Sequence, residues 1–173
     1  MMETVVVSDT NIFIDLYSVD LLNEFFSLSF QIHTTDFIIN ELKNAIQRDT
    51  ILSFNTLTIK KFNGKELSEL LLFQDKLHQE TNVSIQDCSV WQYAQHNSYC
   101  LLTGDSKLRK VAIKEGTNVR GILYIFDKIV EEKILTPSVA CEKLKLLRQM
   151  NGRLPSKDCN PINFHQQGFH LRF

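Results

Sequence analysis

Short β-branched or wholly apolar runs alternate along this chain with longer stretches whose apolar residues recur at helical spacing. Thr4 to Ser8 is a β-branched run passing into Asp9-Thr10-Asn11, and it reads as a buried strand that ends in a loop. Val19 to Leu28 carries Leu21, Leu22, Phe25 and Phe26 at helical spacing. Gln31 to Thr34 is a weak second strand. Thr35 and Asp36 then offer capping side chains for a helix through Phe37, Ile38, Leu42 and Ile46. Leu57 to Lys61 alternates as a third strand, and a helix is expected from Lys65 to about Gln79. Ser84 opens another helix, with Asp87 in its first turn, Val90, Trp91 and Ala94 on one face, and Asn97 near its end. Tyr99 to Thr103 is an apolar strand closing in Gly104-Asp105. Ser106 to Lys114 reads as a short helix with Gly116 as its C-terminal cap. Ile122 to Ile125 reads as a last strand, followed by helices from about Phe126 to Glu132 and from Pro137 to about Met150.

Strands that alternate with helices give parallel strands joined by right-handed crossovers. The expected fold is α/β, a three-layer α/β/α sandwich around a central parallel sheet of about five strands. Residues 1–150 would form the domain and residues 151–173 a polar C-terminal tail with Phe164, Phe169 and Phe173 as anchors. The composition agrees: of 173 residues, 43% are hydrophobic and 23% charged, and only 6 Gly and 3 Pro interrupt regular structure. The formal net charge of −1 excludes broad electrostatic affinity for nucleic acid, so such an activity must come from a local site. No apolar run approaches the roughly 18–20 residues that span a bilayer, and the N-terminus lacks the pattern of a signal peptide. Cys88, Cys100, Cys141 and Cys159 are widely spaced and read as reduced thiols of a cytoplasmic protein.

The informative feature is where the acids fall. Asp9 lies just past the carboxyl end of the first strand, and Asp105 just past that of the Tyr99–Thr103 strand. Open α/β sheets bind ligands outside these ends, where the strand order reverses. If the first and fourth strands are neighbours across that reversal, the two acids face one crevice. Glu41, on the helix after the second strand, and Asp87, in the first turn of the helix before the fourth, belong to the same edge. Each acid alone also fits a plain role: a helix cap, a dipole partner or a solvated charge. Together they repel, at roughly 4 kcal/mol for unit charges about 4 Å apart in an effective dielectric near 20. Such a cluster takes up protons or binds a cation. Hard oxygen ligands without His or Cys point to Mg²⁺ or Mn²⁺, which typically serve phosphoryl chemistry.

Four segments carry a family resemblance: VVVSDTNIFIDL (Val5 to Leu16), TTDFIINEL (Thr34 to Leu42), SIQDCSVWQYAQ (Ser84 to Gln95) and LLTGDSKLRKVA (Leu101 to Ala112). In this order, and with an apolar strand ending in Thr-Gly-Asp, they resemble the PIN-domain nucleases. Gly116 to Leu135 also looks like that family's final strand and helix. The resemblance implies a parallel sheet of order 3-2-1-4-5 and metal-dependent hydrolysis of RNA phosphodiesters. It implies Asp9, Glu41, Asp87 and Asp105 as the catalytic and metal-binding acids for one or two Mg²⁺ or Mn²⁺ ions. Asn11 would order the loop after the first acid, and Thr103 and Ser106, flanking the last, would hold metal-bound water. Lys107, Arg109 and Lys110 are expected to steer the RNA backbone or to be solvated charges on a helix face. Many bacterial members are toxins that dimerise and pair with an antitoxin, so RNA, an antitoxin-like protein and a second copy are the expected partners. Cys88-Ser89 after Asp87 departs from the small apolar residues more usual there. The alternative is a domain that kept the fold as a catalytically inactive module for binding nucleic acid or protein.

Overall fold

The computed structural model describes residues 4–78, 82–152 and 154. The expectations placed on Cys159, Phe164, Phe169 and Phe173 lie outside them. Five strands, β1 (Thr4–Ser8), β2 (Phe30–Thr35), β3 (Thr58–Lys60), β4 (Cys100–Leu102) and β5 (Val119–Arg120), form one parallel sheet of order β3-β2-β1-β4-β5. The central strands are its most apolar: Val6, Val7, Leu101 and Leu102 are fully buried.

The connecting helices are α1 (Thr10–Ser18), α2 (Leu22–Phe26), α3 (Asp36–Glu41), α4 (Ala45–Leu52), α5 (Gly64–His78), α6 (Ile85–Asn97), α7 (Ser106–Lys114), α8 (Ile122–Glu131) and α9 (Pro137–Met150). Phe30 and His33, three apart on β2, point to opposite faces of the sheet. Tyr124 of α8 stacks on Phe30, and Tyr93 of α6 hydrogen-bonds His33 at 2.8 Å. These two contacts mark the outer layers of a three-layer α/β/α sandwich. Burial of an apolar side chain contributes about 1.5–3 kcal/mol. Trp91, Phe13, Phe25 and Phe126 are the largest side chains so buried.

Three elements differ from the sequence reading. Asp9-Thr10-Asn11 is not a loop: α1 starts at Thr10 with Asp9 as its N-cap, and Ile12, Phe13 and Leu16 bury its inner face. The helix expected through Ile46 is two, because Leu42 takes extended backbone and Asn44 caps a fresh start at Ala45. Ile122 to Ile125 is not the last strand. It opens α8, where Ile122, Ile125, Phe126, Ile129 and Val130 bury one helical stripe, and β5 is the two-residue pair before Gly121.

Candidate active site at the strand ends

Asp9 extends β1 into the rim. Its N–H donates to the Leu102 carbonyl of β4 (3.0 Å), so pairing between the two central strands continues through the acid itself. Its carboxylate is nearly inaccessible, 1% exposed. Oδ1 accepts from the Ile12 N–H (3.0 Å), which caps α1, and Oδ2 accepts from the Thr103 hydroxyl (2.5 Å). The Gly104 amide adds a further donor. Burial nevertheless pushes the Asp9 carboxyl up to about 7 against these donors, and the charge of Asp87 adds to the rise.

Thr103 joins both sides of the crevice, because its Oγ1 also accepts from the Asp105 N–H (3.0 Å). Asp105 in turn caps α7: its Oδ1 takes the Lys107 and Leu108 amides at 2.8 and 2.7 Å. Among the described residues no donor reaches its Oδ2. The loop before α7 lies close to α1, where a Cβ on Gly104 would stand 3.4 Å from Asn11 Cβ.

Asp87 stands in the first turn of α6. Ser84 Oγ accepts from the Asp87 N–H (3.1 Å), and the Asp87 carboxylate accepts from Ser84 in return, a reciprocal cap. Burial raises the Asp87 carboxyl, and the charges of Asp105 and Glu41 raise it further. Glu41 closes α3 and is exposed, yet it reaches the same rim: the Thr10 hydroxyl, one residue past Asp9, donates to its Oε2. Asp87 thus senses all three other acids, and the four sequence candidates share one rim.

Lys107 and Lys110 are exposed on α7, Arg109 is half-buried, and Ser106 is exposed at the helix start. Thr10 escaped the sequence reading, although it stands between two flagged residues. Ser89, the departure after Asp87, is fully buried and shares a hydrogen bond with Thr35 Oγ1 (2.7 Å), tying α6 to the end of β2.

The donors suit a hard divalent cation by their chemistry: four carboxylates, two hydroxyls, and no thiol or imidazole. Among the described residues no three Asp, Glu, His or Cys side chains form a ready-made cage. Mg²⁺ is usually held by one or two carboxylates plus waters and substrate phosphate oxygens, so an open rim fits it.

A family model described as a PIN domain matches residues 5–163. Among solved structures, PAE2754 from Pyrobaculum aerophilum is 14% identical with a TM-score of 0.56, over 75% of this chain and 92% of that one. The PilT N-terminus domain protein SSO1118 from Sulfolobus solfataricus P2 is 14% identical with a TM-score of 0.50, over 74% and 95%. VapBC2 from Rickettsia felis, bound to a DNA fragment from its promoter, is 15% identical with a TM-score of 0.48, over 68% and 98%. The first two likenesses are of fold. No curated protein sequence matches the chain.

Proposed function

The chain belongs to the PIN-domain family, a nuclease superfamily, and from that premise we propose that it is a metal-dependent endoribonuclease cutting RNA at the rim above β1 and β4. One observation carries the reading: Asp87 feels the charges of Asp9, Asp105 and Glu41, and burial already disfavours ionisation of Asp9 and Asp87. Acids held this way gain most from a cation beside them. Asp9, Asp87 and Asp105, with Glu41, would hold one or two Mg²⁺ or Mn²⁺ ions, which when bound supply a nucleophile from water and neutralise charge on the phosphate.

The protein's own part is positioning. Ile12, Thr103 and Gly104 fix the Asp9 carboxylate by donating to it. Thr10 holds Glu41 over the same crevice. The Asp105 cap occupies Oδ1 and, among the described residues, leaves Oδ2 without a donor. Asn11 and Ser106 stand in the first turns of α1 and α7, where they would line the approach of an RNA strand to the rim.

The test is cleavage of labelled single-stranded RNA with Mn²⁺ and with EDTA, by the wild type and by Asp9→Asn. Cleavage needing both the metal and Asp9 upholds the proposal, and equal cleavage by the mutant removes it. A toxin's role, with dimerisation and an antitoxin-like partner, follows from the family resemblance alone. Growth arrest on expression, relieved by Asp9→Asn, tests it. Among the described residues no helix is long and apolar enough to cross a membrane.

A further inference from the structure

Two arginines, Arg109 of α7 and Arg120 of β5, come together at the β5 edge. Arg109 lies one turn into α7, its N–H bonded to the Asp105 carbonyl (3.0 Å). Its guanidinium packs on Gly121: a Cβ there would stand 2.9 Å from Arg109 Nη1 and 3.7 Å from the Thr103 carbonyl oxygen. The Gly121 backbone, at φ −118° and ψ −173°, is extended and open to any residue, so glycine here provides room. The guanidinium and Thr103 therefore flank one point, and Thr103 is the residue whose hydroxyl holds Asp9.

Arg120 precedes Gly121, with its guanidinium 5.6 Å from the Tyr124 ring centroid. Burial and the charge of Arg120 both weaken the hold of Arg109 on its proton. Among the described residues neither arginine has a carboxylate within 4 Å. Pairs that do form among the described residues include Arg48–Asp49, Lys60–Glu66, Lys65–Glu69 and Lys128–Glu131. A half-buried guanidinium beside a like charge is held at a cost, which an anion would relieve. Its planar fork matches the oxygens of a phosphate.

We infer that Arg109, backed by Arg120 and seated by Gly121, binds a phosphate of the RNA backbone beside the bond to be cut, while Lys107 and Lys110 stay solvated. This role rests on the nuclease reading above and sharpens it: of the four basic residues on α7, one touches substrate.

Binding of fluorescein-labelled single-stranded RNA in EDTA, across a salt series, tests it on the full chain. Arg109→Gln should bind roughly tenfold more weakly, and its salt slope should fall by about 1. Lys107→Gln and Lys110→Gln should each cost less than about twofold. Gly121→Ala keeps both charges but pushes the flexible guanidinium aside, so it should fold normally and bind several-fold more weakly. Inorganic phosphate should raise the melting temperature of the wild type and leave that of Arg109→Gln unmoved. A merely structural Arg109 would give a lower-melting mutant that binds RNA like the wild type, and that result overturns the proposal. So does a folded Gly121→Ala protein with wild-type affinity. Arg109-dependent binding without any cleavage in Mn²⁺ upholds the phosphate contact and overturns the nuclease reading. Cleavage with binding indifferent to Arg109 does the reverse.

Discussion

Two helices of this protein begin with the same device and end up in opposite electrostatic states. At the start of α5, Asn63 and Glu66 cap each other, Glu66 N–H to Asn63 Oδ1 at 3.0 Å and Asn63 N–H to Glu66 Oε2 at 2.9 Å. At the start of α6, Ser84 and Asp87 do the same. Yet the Glu66 carboxyl is lowered, first by its hydrogen bond from Lys60 (2.6 Å) and then by Asn63. The Asp87 carboxyl is raised, first by burial and then by two neighbouring acids. Both acids cap a helix, but among the described residues only the first has a cation paired with it. A local motif sets where a carboxylate stands, and the tertiary surroundings decide whether it is satisfied or left wanting a partner.

The comparison breaks first if activity does not follow it. Asp87→Asn should cut RNA cleavage by roughly a hundredfold to a thousandfold, the scale of losing a principal electrostatic group. Glu66→Gln should leave the rate unchanged. Gel assays with Mn²⁺ under identical conditions decide this. Next comes the shared part: Ser84→Ala and Asn63→Ala should each cost about 0.5–2 kcal/mol of stability by chemical denaturation, since the capping bond is alike.

Asp127 sharpens the contrast, because it is an acid with a raised pKa outside the rim. Burial, with Glu131 one helical turn away, pushes it up to about 6. The full shift would correspond to about 3 kcal/mol, but the half-exposed position screens it to roughly 1 kcal/mol. A raised folded pKa disfavours the ionised form, so wild-type stability should decline as pH rises between about 4 and 6. Asp127→Asn should melt higher than the wild type at pH 7, converge with it below pH 4, and cleave RNA normally. The smallest effect belongs to Glu66→Gln, a slight fall in melting temperature at neutral pH. The folded pKa of Glu66 is lowered, so its contribution is present above the usual carboxylate range and lost as pH falls through the folded value. The gap to the wild type should close on acidification.

Much of this was legible along the chain. The β-branched Thr4–Ser8, the apolar Cys100–Leu102 and the Ser84-Ile85-Gln86-Asp87 helix start each declare themselves locally, and they carry three of the four acids to the rim. The Ile-Leu-Tyr-Ile run after Gly121 did not, because four apolar residues fit a strand as well as the first turn of a buried helix. Asp9 meets the plain reading, since it caps α1 through one oxygen, while its other oxygen turns to Thr103 at the rim where the functional reading put it. The hydroxyl links, Thr10 to Glu41 and Thr103 to Asp9, span 31 and 94 residues and leave no trace in local spacing. The crowding of Arg109 against Gly121 is equally silent in sequence, since both residues have ordinary explanations where they stand.

The pairing of β1 with β4 also sets a timetable for the molecule as it is made. A ribosome that has released the chain up to Asn97 has delivered Asp9, Glu41 and Asp87, but neither the strand that β1 must lie against nor Thr103 and Asp105. Contacts that join distant parts of a chain form late. The nascent protein therefore carries three of the four acids for some time before the rim that gathers them can assemble.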